Sequence, residues 1–282
     1  MTPPQSPAPE ASVVPADGDL VLVGAGRMGG ALLEGWIGLG VAAARIAVIE
    51  PRPAPQIEAL AAHGLRINPG AATLAPAAVV VAVKPQTAPE VMPGVTALMA
   101  PSAVVVSIMA GRTMAFLEDR LPPGSAVVRA MPNTPAAIGR GITVLVANSG
   151  VTPLQRRLAS ALLAATGTVE WVDDEALMDA VTAVSGSGPA YVFLLAECLA
   201  RAGEKAGLPP DLAARLARAT VAGSGELLHR SQDDAATLRR NVTSPGGTTA
   251  AALDVLMAAD GLEPLMERAV AAAAKRGREL AG

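Results

Sequence analysis

Leu20-Val21-Leu22-Val23-Gly24-Ala25-Gly26-Arg27-Met28-Gly29 is the stretch whose reading decides the fold. Four apolar residues make a buried strand, three glycines follow at G-x-G-x-x-G spacing, and a helical stretch opens at 31–39. In that context Gly24 permits a tight turn, Gly26 lets the backbone approach a pyrophosphate, and Gly29 allows close helix-strand packing. The helix start adds N–H groups and positive dipole. Gly24, Ala25, Gly26, Arg27, Met28 and Gly29 are therefore expected to bind a dinucleotide.

Outward from this turn, short β-branched runs alternate with amphipathic helical stretches, as in a parallel sheet with crossover helices. Strands are expected at 20–23, 45–50, 79–83, 103–108 and 126–130, with two more at 141–147 and 168–172 around a helix starting near Thr152. The adenosine ribose belongs at the end of the second strand. Glu50 there could accept from the ribose hydroxyls and favour NAD, whereas Arg52 could pair with a 2′-phosphate and favour NADP. Ligands of doubly wound sheets bind outside the carboxyl ends of strands. Ala82-Val83-Lys84-Pro85 and Asn133, between Pro132 and Pro135, occupy such ends. Lys84, one of three lysines in the chain, could meet ribose, phosphate or a substrate carboxylate, and Asn133 could bond a nicotinamide amide or instead cap local backbone.

Beyond Asp173-Asp174 helix formers take over, with helices expected at 175–184, 190–206, 211–228, 234–242, 249–257 and 263–280. The expected organisation is a leader at 1–17 carrying five prolines, an α/β Rossmann-type doubly wound domain at 18–173 and an all-helical domain at 174–282. Within the helical half, Ser244-Pro245-Gly246-Gly247-Thr248-Thr249 precedes a helical run. Two glycines, a helix N-terminus and three hydroxyls make an anion cradle, or else a plain loop with Thr248 as N-cap.

Composition narrows the function. The 282 residues are 51% hydrophobic but 2% aromatic, with about a fifth alanine and a net charge of -3. Without a basic block or stacking rings, nucleic acid is not an expected partner. One cysteine, Cys198, and two distant histidines, His63 and His229, speak against disulfides, metal sites and Ser-His-Asp chemistry. The uncharged stretch 91–111 is interrupted by Pro93, Gly94 and Pro101 and reads as core, so no membrane partner is expected. A cytoplasmic location is expected.

Taken together, Gly24 to Gly29, Ala82 to Pro85, Arg129-Ala130-Met131-Pro132-Asn133-Thr134-Pro135, Val184-Ser185-Gly186-Ser187-Gly188-Pro189-Ala190-Tyr191 and Ser244 to Thr249 closely resemble pyrroline-5-carboxylate reductase. The resemblance runs in order from 20 to 280. It implies reduction of the cyclic imine L-1-pyrroline-5-carboxylate to L-proline, the last step of proline biosynthesis, with NADPH or NADH. It also implies a helical domain that dimerises by intertwining, giving a homodimer or homodecamer. Ser244, Gly246, Gly247 and Thr248 would hold the substrate carboxylate, and the Thr249 hydroxyl would bond the ring nitrogen as the catalytic group. Glu50 departs from the neutral residue usual in the family. An alcohol-oxidising enzyme of the hydroxyisobutyrate or 6-phosphogluconate dehydrogenase kind would place an acid-base lysine on the helix at 190–206, where Lys205 stands only at the far end.

Overall fold

A computed structural model describes residues 18–281; the leader at 1–17 lies outside them. Two compact units emerge from the contacts, one of residues 18–186 with 274–281 and one of residues 187–273.

The first unit is an eight-stranded sheet in the order β3-β2-β1-β4-β5-β6-β7-β8. Its strands are β1 (Asp19–Val23), β2 (Ile46–Ile49), β3 (Arg66–Ile67), β4 (Pro76–Val81), β5 (Val104–Ser107), β6 (Ala126–Met131), β7 (Gly141–Ala147) and β8 (Gly167–Trp171). All neighbours pair in parallel except β6 and β7. The order reverses between β1 and β4, which opens a crevice at their carboxyl ends. Apolar residues continue without alternation because both faces are covered. Leu20 and Leu22 pack with Leu32, Leu33 and Trp36 of α1 (Arg27–Gly38), while Val21 and Val23 join Met92 and Val95 of α3 (Ala88–Ala97) on the other face. The short α2 (Pro55–Ala59) leads towards β3, α4 (Met114–Glu118) follows β5, and α5 (Pro153–Ala164) joins β7 to β8.

Three local differences from the sequence-based expectation have simple causes. Strand β3 has two residues and no apolar run to announce it. Pro93 lies inside α3, so the stretch 91–111 is divided by the turn after the helix rather than at this proline. The helix expected at 175–184 is instead a 3-10 turn at Glu175–Leu177, a short α6 (Met178–Val181) and a π-helical turn at Thr182–Gly186. These residues belong with the sheet: Met178 and Ala183 are buried, and Glu175 pairs with the buried Arg129 of β6 at 2.6 Å.

The second unit contains α7 (Gly188–Lys205), α8 (Pro210–Arg230), α9 (Ala235–Asn241), α10 (Thr248–Leu256) and the start of α11 (Leu262–Ala281). Gly203 lies close to Ala213, where α7 and α8 meet, and Gly207 takes φ +100° to turn the chain between them. Only Ala213 and Ala217 are buried among the hydrophobic residues of this unit, whereas Phe193 is 64% and Val255 72% exposed. The helical stretch Glu175–Lys205 is long and apolar enough by composition to cross a membrane, yet little of its most apolar window is buried within the chain. Such a surface marks an interaction face.

Candidate active site

The glycine turn stands where β1 ends and α1 begins. Gly24 takes φ +90°, a conformation that glycine adopts freely, and a β-carbon there would press on Ala82 O and Val83 Cγ1 at 2.8 Å. Its N–H donates to Ile49 O at 2.9 Å, which ties the turn to β2. At Gly29 a β-carbon would overlap the Gly24 carbonyl oxygen, so α1 can lie this close only without a side chain. Gly26 differs, since a β-carbon would meet nothing within 4 Å. No protein contact demands a glycine there, and the open space leaves the backbone accessible to a phosphate. Gly26 is the N-cap of α1, no side chain caps that helix, and its first turn carries no acidic residue. Arg27 is exposed and Met28 half-buried at the same helix start. These features fit a dinucleotide pyrophosphate.

Beside this turn the structure places Ala82 to Pro85 and Glu50 with Arg52, whereas Asn133 lies beyond β6, three strands from β1. Ala82 N–H donates to Val23 O at 2.7 Å, placing Ala82-Val83-Lys84-Pro85 beside the turn at the end of β4. Lys84 is exposed, and its carbonyl accepts from the Thr87 hydroxyl at 2.9 Å. Glu50 follows β2, where its carboxylate accepts from Ala25 N–H at 3.0 Å and from Arg52 N–H at 3.1 Å. Arg52 is exposed. Asn133, beyond β6, accepts through Oδ1 from Ile142 N–H at 3.0 Å, so the carbonyl end of its amide braces β7.

Two residues that sequence reasoning missed hold this arrangement. Asn68, after β3, brackets Glu50 through its side-chain amide. Arg112 donates to Pro85 O from Nε at 3.0 Å and from its terminal nitrogen at 2.6 Å, and lies over the Phe116 ring. Neither belongs to a motif. Asn68 is 18 residues from its partner and Arg112 is 27 residues from Pro85.

In the second unit the candidate substrate residues form one compact feature. Gly247 N–H donates to Ser244 O at 3.0 Å, and Gly246 at position three of that turn takes φ +70°. Pro followed by left-handed Gly is the sequence form of a type II turn. The turn delivers Gly247, not Thr248, as the N-cap of α10, and no side chain caps the helix. Thr248 and Thr249 are its first two residues, Thr248 exposed and Thr249 half-buried. Contrast α5, α4 and α9, whose first turns are capped by Thr152, Thr113 and Asp234. The first N–H groups of a helix lack intrahelical partners. Here two hydroxyls accompany them, a donor set suited to a carboxylate. Among the described residues no group of histidine, cysteine and acidic side chains could hold a metal ion.

The chain matches two family models: pyrroline-5-carboxylate reductase dimerisation over residues 175–280, and NADP oxidoreductase coenzyme F420-dependent over residues 19–111. It is 42% identical over 264 residues to a pyrroline-5-carboxylate reductase of Pseudomonas aeruginosa, covering 93% of this chain and 96% of the relative. A solved pyrroline-5-carboxylate reductase of Coxiella burnetii superposes with TM-score 0.86 at 33% identity, covering 94% of this chain and 99% of that one. The pyrroline carboxylate reductase of Plasmodium falciparum, solved with NADP bound, gives TM-score 0.77 at 28% identity over 94% of this chain and 99% of its own.

Proposed function

The chain belongs to the pyrroline-5-carboxylate reductase family, and from that premise we propose how its own residues divide the work. The reaction is reduction of pyrroline-5-carboxylate to proline with NAD(P)H, the last step of proline biosynthesis. When bound, NAD(P)H supplies the hydride. NADPH is the cofactor, with NADH as the alternative.

Gly24 to Gly29 hold the pyrophosphate through the start of α1, with Ala82 to Pro85 as the neighbouring wall and Arg112 fixing that wall from behind. Lys84 neutralises negative charge at the rim, and the amino end of Asn133 meets the nicotinamide amide or the substrate. Ser244, Gly246, Gly247 and Thr248 bind the substrate carboxylate at the uncapped start of α10. The Thr249 hydroxyl orients the ring nitrogen and relays its proton. The observation that carries this reading is the α10 start, where a tight turn leaves backbone donors uncapped beside two hydroxyls.

Little acid-base machinery is required. A cyclic imine is readily protonated near neutral pH and its carbon is then a strong electrophile, so positioning provides most of the rate. Protonation of the nitrogen comes first and hydride addition to the iminium carbon then gives the neutral amine, so a hydroxyl held at the nitrogen serves the protonation.

The dimerisation-family match over 175–280 assigns the helical part to oligomer formation. A homodimer covering the exposed faces of α7 and α8 is the unit we propose, with a homodecamer as its further assembly; the burial of only two alanines in the lone unit supports this. A second copy, rather than a membrane, then covers the exposed apolar residues of α7 within the stretch Glu175–Lys205. A single cysteine supports a cytoplasmic setting.

The test is nicotinamide oxidation followed with pyrroline-5-carboxylate and with a panel of other imines and keto acids. Turnover of the pyrroline above all others is expected. Preference for a different substrate would overturn the proposed roles of Ser244 to Thr249.

A further inference from the structure

Glu50 is fixed at both ends, its carboxylate by two backbone N–H groups and its peptide by one side chain. Its Oε2 accepts from Ala25 N–H at 3.0 Å, inside the glycine turn, and its Oε1 accepts from Arg52 N–H at 3.1 Å. Its own peptide is bracketed by one side chain: Glu50 N–H donates to Asn68 Oδ1 at 2.9 Å, and Asn68 Nδ2 donates to Glu50 O at 2.9 Å. Asn68 in turn donates its backbone N–H to Val48 O at 2.8 Å and takes φ +48°, a left-handed conformation that asparagine tolerates better than most residues.

A carboxylate offers about four lone-pair sites. The two N–H donors occupy one on each oxygen, which leaves one acceptor on each, separated by the width of the carboxylate. That pair matches two adjacent hydroxyls, as on a ribose, and cannot donate to a phosphate. Its charge also opposes one. The end of the second strand is where the adenosine ribose of a bound dinucleotide lies. Arg52 is exposed, and it is its backbone N–H that the structure ties to Glu50.

We infer that Glu50, held in place by Asn68, reads the 2′ position of the adenosine ribose and shifts the coenzyme balance of this chain towards NADH without closing the site to NADPH. Glu50 is the discriminating residue and Asn68 its positioning residue. The inference rests on the glycine turn being the dinucleotide site.

Calorimetric titration of the full-length protein with NADH and with NADPH tests it, alongside initial rates with both coenzymes. Glu50→Gln should raise the NADPH-to-NADH ratio of affinities, and of kcat/KM, by about 10- to 100-fold. Glu50→Ser should act in the same direction without setting an amide N–H against the Ala25 N–H. Asn68→Gly keeps the left-handed backbone accessible but deletes both bonds to Glu50, and should shift the ratio in the same direction by a smaller factor. If both coenzymes bind and the ratio is unchanged in Glu50→Gln and Glu50→Ser, the inference fails and the dinucleotide site stands. If Asn68→Gly weakens both coenzymes equally, Asn68 is structural and its positioning role is overturned. If neither coenzyme binds the unmodified protein, the reading of the glycine turn itself is wrong.

Discussion

The Gly29 backbone lies so close to the Gly24 carbonyl oxygen that a β-carbon on Gly29 would overlap it, while Gly26 between them has open space on its side-chain face. Two glycines of one motif thus serve different ends. Gly29→Ala should destabilise the fold by about 3 kcal/mol or more, since backbone must move. Gly26→Ala should cost the fold within about 1 kcal/mol, the scale of a changed N-cap, yet weaken coenzyme binding about tenfold or more, ~1.4 kcal/mol. Thermal melting and coenzyme titration on the two variants separate these effects. Equal losses of stability would contradict the assignment.

Thr249 stands second in α10, behind a helix start that no side chain caps. Removing its hydroxyl in Thr249→Ala should lower kcat by about 10- to 1,000-fold, the scale of one oriented hydrogen bond in a transition state. Thr249→Ser should retain most of the rate. Wild-type turnover in the alanine variant, measured at saturating substrate, would remove Thr249 from the chemistry.

The exposed apolar face of the helical unit predicts a change of mass. Phe193→Asp places a charge on α7 in the face assigned to oligomer formation. Burying that charge unpaired in an interface costs several kcal/mol, so light scattering without detergent should report a smaller species than for the unmodified protein. An unchanged mass would move the interface elsewhere.

Acid sensitivity is expected at the opposite end of the sheet from the glycine turn. Burial pushes the Asp19 carboxyl up, but hydrogen bonds from Arg66 at 2.6 Å and Ala75 N–H at 2.8 Å, with the charges of Arg66 and Arg45, outweigh it and hold the group below its ordinary value. A depressed folded-state pKa gives stability that is full above the unfolded value, about 3.9, and is lost as pH falls through the lower folded value. Asp19→Asn should therefore cost about 1 to 3 kcal/mol at neutral pH. The gap to the unmodified protein should narrow in urea melts below about pH 3. A gap independent of pH would show that the charge is immaterial.

Much of the fold was legible because the features that carry it are local. A strand, a glycine turn and a helix in succession declare the dinucleotide crevice, and Pro245-Gly246 declares its turn, since each is set by backbone conformation within a few residues. Glu50 was legible as a residue but not as a geometry, because Asn68 holds it from just beyond β3 and belongs to no pattern. The segment 175–186 has a composition that suits a helix, and the dimerisation-family match begins at 175, yet the segment also buries Met178 and Ala183 and pairs with Arg129, 46 residues away, contacts that no local pattern announces.

The last helix carries a consequence for synthesis. Residues 274–281 at the end of α11 cluster with the sheet unit rather than with the helices that precede them. Gly277 lies where a β-carbon would reach Asp179 Oδ1 at 3.0 Å, and Gly111 lies near Leu280. Domains emerging from the ribosome usually fold in order, the first before the second. Here the sheet unit cannot complete its surface until residues 274–281 have left the ribosome, so their deletion would leave its mark on the coenzyme-binding half.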